Sequence, residues 1–482
     1  EPESRSYSIT PTLRWRIDEA WSLSLTGTHG NSLTLAPSST FANNVVTSSR
    51  AVRNENGIDI AELGVEGELF ALPGGPVRLA AGGGYRSITL DANGRLITPT
   101  MTRNLIVFSK QRDVTYGYGE LSVPLVGAAN RMAFVHDLRL SGAVRYENYQ
   151  GIGSEASPRL GIIYRPVEDI TIKASWGKSF KAPTFYDQYR VYQTLLFPMS
   201  FFGPNSGPAD KAAIYVAGGN PNLKPERATT WSATIVLEPR VAPGLRLEAS
   251  YFDISYRDRV ASPVSSILGV FQNPIYQHLI IYSPTAQQIS ALTDGAVFGL
   301  ENFTGQPYSP ANVFAILNAN VQNSAKQTIH GFDFSARYSF EVGDDRFDLS
   351  ASASYLKSRR QLVAGLPTVQ NAGIIFNQTH WGGQGGGTWT RDNVSVSAFA
   401  SYIGGTTDNR LTPFLSVKPF LSLDLIAQIS SNAQSGLFKD VDFTLGVTNM
   451  FNRKPSAIRT SSPTDAPYDS TNYPTTGRVV SF

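Results

Sequence analysis

The 482-residue sequence contains no cysteine, so no disulfide framework, zinc–thiolate site or cysteine nucleophile can exist in it. Charge is also scarce, at 16% of residues against about 25% in an ordinary soluble domain. The 41 basic and 38 acidic residues are spread along the chain without a basic tract, which removes the electrostatic case for a nucleic-acid partner. Nowhere do about 18 apolar residues run consecutively, so no transmembrane helix is encoded. The opening EPESRSYS lacks the basic and apolar regions of a signal peptide, and a start at Glu1 without methionine is the start expected of a processed chain.

Acid–base chemistry is thinly supplied. The five histidines, His29, His136, His278, His330 and His380, fall in unrelated segments without a nucleophile signature, so protease or lipase chemistry is not expected. The nearest to a pair, His136-Asp137, is expected to open a strand beside a turn. The glycine cluster GGQGGG (Gly382 to Gly387) lacks the Lys-Ser or Lys-Thr ending of a phosphate loop and is expected within a strand. No catalytic residue, cofactor or metal site is expected.

What is abundant is strand material: 26 Phe, 21 Tyr and 42 Gly. Segment after segment alternates with the period of two that gives a strand one apolar and one polar face. Phe347, Leu349, Ala351, Ala353 and Tyr355 alternate with Asp348, Ser350, Ser352 and Ser354. Val394, Val396, Ala398, Ala400 and Tyr402 alternate with Ser395, Ser397 and Ser401, and Tyr7, Ile9, Leu13, Trp15 and Ile17 with Ser8, Thr10, Thr12, Arg14 and Arg16. Many such segments reach the ~9–11 residues that a tilted strand needs to cross a bilayer, whereas soluble strands usually stop near 5 or 6. Aromatic residues close the apolar faces at Tyr7, Trp15, Trp21, Tyr146, Trp176, Tyr338, Tyr355 and Tyr402, as interfacial girdles do. The expected fold is all-β, a transmembrane antiparallel β-barrel, since lipid admits only helices or closed barrels.

Eight short turns, near Asp18, Pro73–Pro76, Gly127–Asn130, Val167–Asp169, Val241–Gly244, Gly343–Asp345, Arg391–Asn393 and Ser430–Gly436, alternate with eight long links. The long links fall at 36–55, 92–111, 149–156, 180–226, 260–326, 358–377, 403–415 and 452–474. Short periplasmic turns and long extracellular loops are the barrel pattern, and about seventeen strands result. An odd count that opens with a short link and closes with a long one places Glu1 in an extracellular loop and requires an upstream odd number of strands.

Several strings resemble TonB-dependent outer-membrane receptors. SPRLGIIYRP (Ser157 to Pro166) followed by ITIKASWGKSFKAPT (Ile170 to Thr184) is similar to a paired set of family strands. NPNLKPE (Asn220 to Glu226), LRLEASYFDISYRDRV (Leu245 to Val260) and LGVTNMFNRKP (Leu445 to Pro455) resemble further family segments. The terminal Phe482 is similar to the residue read by the barrel-assembly machinery. The resemblance covers roughly 120–482 by motif and the first 120 residues by pattern only. It implies a 22-stranded barrel in the outer membrane of a Gram-negative bacterium, with 1–482 as its C-terminal portion and neither plug nor TonB-engaging segment present. A separate N-terminal chain carrying the plug and about five strands is the implied partner, pairing near Tyr7–Ile17 and near Arg478–Phe482. TonB would act through that plug.

The function implied is uptake of a bulky, scarce nutrient, a ferric siderophore by default because that is the family's commonest substrate class. Carbohydrate or peptide uptake, a passive porin-like channel and an assembly or adhesion barrel are the alternatives. The candidate ligand loop is TFYDQYRVYQTLLFPMSFFGP, with Phe185, Tyr186, Tyr189, Tyr192, Phe197, Phe201 and Phe202 able to stack on a ligand or pack the loop on itself. Arg16, Arg145, Lys173, Arg246 and Arg337 fall on polar faces and are candidate lumen charges for an anionic ligand, or for mutual pairing with Asp333, Asp348 and Glu248. In NPNLKPE, Pro221 and Pro225 bar regular pairing, and Glu226 with Arg227 is expected to tether a loop to the next strand.

Overall fold

The computed structural model describes residues 2–482 apart from 43–44, 265–266, 297, 411–412, 432–434, 437–438, 440 and 461–465. One antiparallel sheet of 19 strands runs through nearly the whole chain. Two of its strands, Glu3–Ile9 and Thr12–Arg16, are halves of one crossing: both pair with Trp21–Ala42, and Pro11, which has no N–H to give a ladder, falls in the break. Another, Val369–Gln370, is a two-residue stub. Seventeen crossings remain among the described residues, the number expected from the sequence.

Each crossing pairs with the next in the chain, so nearly every backbone polar group is answered by a neighbour. In hydrocarbon each unanswered group costs several kcal/mol, which is why the ladder itself is the main constraint on such a fold. Among the described residues, Glu3–Ile9 and Val479–Ser481 each have a neighbour on one side only.

Register fixes two faces. The row Ile235, Ala249, Phe334, Ala353, Gly383, Tyr402, Leu421 runs across seven strands, and the row Leu237, Leu247, Ala336, Ala351, Gly385, Ala400, Leu423 runs beside it. Above them lie aromatic pairs Trp176–Trp231, Tyr251–Phe332 and Tyr355–Trp381, with ring centroids 6.1, 5.2 and 4.7 Å apart. Below lie Tyr338, Phe340 and Phe347, stacked at 4.8 and 5.1 Å. From Phe347 to Tyr355 an extended strand rises roughly 26 Å, close to the ~25 Å height of the apolar band on a membrane barrel. The opposite face carries Asp348, Ser350, Ser352 and Ser354, with Ser339 donating to Asp348 at 2.6 Å and Ser354 to Asp333 at 2.6 Å.

Turn chemistry agrees with the short links. Asp18 Oδ1 accepts from the backbone N–H groups of Ala20 and Trp21 at 2.8 and 2.7 Å, and Gly343 takes the left-handed φ of 63° between Val342 and Asp345. The Ser430–Gly436 turn and the position of Glu1 fall partly or wholly outside the described residues.

Three long links differ from expectation. The 36–55 and 92–111 links are continuations of paired strands, Trp21–Ala42 with Val45–Leu72 and Gly75–Ile97 with Thr102–Val126. Beyond the lipid both faces of a strand are wetted, so the period of two vanishes although pairing persists. The 149–156 link shrinks to a tight turn between Asp137–Tyr149 and Gly153–Val167, with Gly151 and Gly153 at φ 79° and 116°.

Candidate functional site

The two longest links, 182–225 and 262–321, fold together at the long-link end into a five-stranded sheet ordered Ile280–Tyr282, Val313–Asn318, Ala212–Ala217, Gln193–Pro198, Leu300–Asn302. Met199, Phe202, Phe271, Leu279 and Leu317 form one core cluster of this cap and Leu196, Ile214, Val216, Ile289 and Ile316 another. The cap is therefore a packed body with its own apolar interior.

The cap is pinned to the extended strands. A five-residue helix, Phe185–Tyr189, starts at Thr184, whose hydroxyl accepts from the Asp187 N–H at 3.1 Å while the Asp187 carboxylate accepts from the Thr184 N–H at 3.1 Å. The buried Phe185 packs with Leu90 and Ala92 of the Gly75–Ile97 strand. Arg112 lies 4.5 Å from the centroid of the Phe185 ring and donates to Gln188 Oε1 at 2.6 Å and to the Pro183 carbonyl at 2.8 Å. Lys110 sits 4.5 Å from the Tyr189 ring. The Tyr186 hydroxyl donates to Asn54 Oδ1 at 2.5 Å, and burial pushes its pKa up. Arg103 pairs with Glu301 at 2.6 Å and lies 3.9 Å from the Phe298 ring.

The seven aromatic candidates thus divide. Phe185, Tyr186 and Tyr189 join cap to strands. Tyr192 packs against the Leu196–Ile214 cluster, where burial raises its pKa. Phe202 is fully buried, whereas Phe197 is stacked between Phe201 at 3.9 Å and Phe303 at 5.1 Å. Phe201 and Phe303 are 40% and 54% exposed, so this stack presents open ring faces. Phe303 gives no local signal in the sequence, because it reaches the stack through the parallel pairing of Gln193–Pro198 with Leu300–Asn302.

The charged candidates lie apart along the polar face. Arg145 donates to Glu147 Oε1 at 2.5 Å and lies 4.1 Å from the Tyr116 ring. Glu147 is buried and also takes Arg86 at 3.2 Å and the Tyr149 hydroxyl. Tyr116 and Tyr118 in turn donate to Glu62 at 2.7 and 3.2 Å. Arg86, Glu62 and the three tyrosines are residues of this cluster that sequence reasoning did not single out. Arg16 lines a cavity of about 450 Å³ near the short-link end with Arg14, Glu66, Glu68, Arg78 and Glu120. Lys173 lines a recess of about 410 Å³ with Glu120 and Arg159. Arg246 pairs with Glu238 at 2.6 Å and Glu248 at 2.9 Å, and Arg337 stands opposite it in register.

The NPNLKPE segment acts as a tether. Glu226 Oε1 accepts from the Val260 N–H at 2.9 Å, Arg227 pairs with Glu155 and Asp258, and Asn323 bonds both the N–H and the carbonyl of Lys224, at 2.8 and 2.7 Å. One histidine is better connected than its sequence suggests: His29 Nδ1 is 2.7 Å from Asp59 and Nε2 3.3 Å from the Tyr7 hydroxyl, all three on strands near the sheet edge. Among the described residues no group of three or more His, Asp and Glu converges as metal ligands would.

A sheet of this size, apolar outside and charged within, capped at one end by folded loops, defines an outer-membrane receptor barrel. The chain belongs to the TonB-dependent receptor family: the family model described as TonB dependent receptor-like, beta-barrel, matches residues 1–450. Similar solved structures include the siderophore receptor PirA from Acinetobacter baumannii, at 13% identity and TM-score 0.56, covering 99% of this chain and 70% of that one. The ferric citrate transporter FecA is 12% identical at TM-score 0.56, over 99% of this chain and 60% of that one. The RagAB peptide transporter is 11% identical at TM-score 0.59, over 93% and 58%. These likenesses describe the fold, and the chain spans under two thirds of the latter two. Comparison with curated protein sequences finds no match.

Proposed function

We propose that residues 1–482 form one barrel domain, the greater part of the wall of an active, non-enzymatic importer in a Gram-negative outer membrane. The observation that carries this reading is the cap: two loops folded into a cored body, fastened to the extended strands and exposing a phenylalanine stack. A diffusion pore needs an open mouth, whereas a receptor needs a rigid surface on which to capture its ligand before opening. Phe197, Phe201 and Phe303 are the ligand-contacting residues, and the Arg86–Arg145–Glu147 cluster with Arg16, Lys173, Arg246 and Arg337 lines the route below.

The ligand is a bulky scarce nutrient, with a ferric siderophore as the first class to test, since two of the similar structures are described as a siderophore receptor and a ferric citrate transporter. The peptide transporter among them keeps peptides as the second class. The singly paired edges at Glu3–Ile9 and Val479–Ser481 support further strands completing the wall around a plug driven by TonB. Growth under iron limitation with and without the gene tests the ligand class: no iron-dependent difference overturns the siderophore. Single-channel recording of the whole complex tests the transport class, since large steady currents belong to a porin.

A further inference from the structure

Where the cap strands Ala212–Ala217 and Val313–Asn318 return to the barrel wall, their trailing segments form a half-open pocket of about 370 Å³. That is toward the small end of the ~300–1,000 Å³ of small-molecule sites. It is lined by Tyr192, by the amide residues Asn220, Asn222, Asn318, Asn320 and Gln322, and by Gly219 and Pro221, with no charged residue among them. Close backbone approach builds it. A Cβ on Gly218 would lie 2.6 Å from the Tyr192 Cα, and one on Gly219 would lie 2.5 Å from the Gln188 carbonyl oxygen, so both positions need glycine.

Two of the amides are partly spent on structure. Asn220 donates to the Val321 carbonyl at 3.0 Å and accepts from the Asn222 N–H at 3.0 Å, and Asn318 accepts from the Asn320 N–H at 3.2 Å. The remaining capacity is unused. The side chains of Asn222 and Gln322 and the Tyr192 hydroxyl make no hydrogen bond among the described residues, and Asn320 Oδ1 is closed off from water without a donor. Asn222 is exposed at the rim and Gln322 and Tyr192 are half-buried, so their donors and acceptors remain within reach of a ligand.

We propose that this pocket binds one uncharged, hydroxyl-rich ring, a pyranose unit of a glycan. Each primary amide offers two donors and a carbonyl acceptor, the complement of hydroxyls that both give and take a hydrogen bond. An aromatic wall suits the apolar C–H face of a sugar ring. An anionic ligand, or a peptide held by its charged termini, would find no counter-charge in this lining. The site is distinct from the Phe197–Phe201–Phe303 stack and does not depend on which nutrient the barrel imports.

The test is saturation-transfer NMR on the complete purified receptor in lauryldimethylamine oxide micelles, which carry no sugar. The probes are methyl α-D-glucopyranoside, methyl β-D-galactopyranoside and N-acetylglucosamine, with triglycine as the competing chemistry. At least one glycoside is expected to receive saturation. The Asn222→Ala, Gln322→Ala double variant, which touches no structural hydrogen bond, is expected to weaken its Kd about tenfold or more. Tyr192→Phe keeps the ring and loses the hydroxyl, so a smaller loss is expected. Failure of every glycoside at tens of millimolar, glycoside binding indifferent to the double variant, or triglycine binding with the same sensitivity would each overturn the assignment. None of these results bears on iron-dependent growth, so the uptake reading stands or falls separately.

Discussion

The guanidinium of Arg145 lies 4.1 Å from the centroid of the Tyr116 ring, and its Nε–H meets Glu147 on the same strand. With Arg86 on the other side of that buried carboxylate, two cations and a tyrosine hold one anion across three neighbouring strands. Arg145→Met keeps the chain length and removes the charge, leaving Glu147 under-answered. The expected loss is about 1–3 kcal/mol, read as an earlier heat-modifiability midpoint on SDS gels. Arg145→Lys is expected to recover only part, since an ammonium cannot stack its plane on Tyr116. An unshifted Arg145→Met midpoint would remove the cluster from the wall's energetics.

The aromatic loop separates folding from capture. Phe202 is fully buried with its ring 5.0 Å from Phe271, so Phe202→Ala leaves a cavity in the cap and is expected to cost about 3–5 kcal/mol. Hydrogen exchange across 193–217 would rise. Phe201→Ala and Phe303→Ala remove exposed faces of the stack and are expected to leave exchange unchanged. If the stack contacts ligand, the pair together weakens binding about tenfold or more. Equal exchange rates in all three variants would contradict the division.

The barrel was legible because lipid outside and polar groups within impose a period of two. Phe347 to Tyr355 with Asp348 to Ser354 show it residue by residue, and Gly343 and Asp392 mark the turns. The cap was not legible. Ala212–Ala217 finds a parallel partner in Val313–Asn318, about a hundred positions on, and no local period announces a partner so distant. The wetted strands such as Arg53-Asn54-Glu55 also read as loop, because water on both faces erases the alternation. Of the candidate site, the aromatics of 184–204 were visible as a cluster, but their division into core, clamp and open stack depends on Phe108, Phe271 and Phe303 from other segments. The tether in NPNLKPE was visible; three of the five amides of the pocket beside it come from Asn318, Asn320 and Gln322.

A pH response is expected in the hairpin strands Thr406–Asp408 and Leu415–Val417. Asp408 is fully buried and accepts from Arg410 Nε at 3.0 Å and Nη2 at 2.9 Å, and these bonds hold its carboxyl below the usual aspartate value. A depressed carboxyl pKa adds stability that is present above the ordinary value of about 3.9 and is lost as pH falls through the lower folded value. Exchange protection of this hairpin, corrected for intrinsic rates, is therefore flat from about pH 5 to 8 and falls below about pH 4. Asp408→Asn should remove that acid dependence and lower protection at neutral pH. A variant whose protection still falls in acid like the parent's would place the titrating group elsewhere.

The two faces of one strand give the sharpest test of the lipid boundary. Ala351 stands mid-height in the apolar row beside Ala336 and Gly385, and Ser352, its neighbour, stands in register with Ser335 and Gln384 on the polar face. An arginine at 351 must put its charge into hydrocarbon at the bilayer midplane, a cost of about 2–4 kcal/mol in membrane barrels. At 352 the same side chain meets the wetted interior with serines and a glutamine around it, so the cost should stay within about 0.5 kcal/mol. Reversible urea unfolding of the complete receptor in phospholipid vesicles reads both. Ala351→Arg should lower the midpoint strongly and Ser352→Arg barely. The reverse order would mean that the face bearing Phe347, Leu349 and Tyr355 lines the lumen, and the assignment of the whole sheet would be inverted.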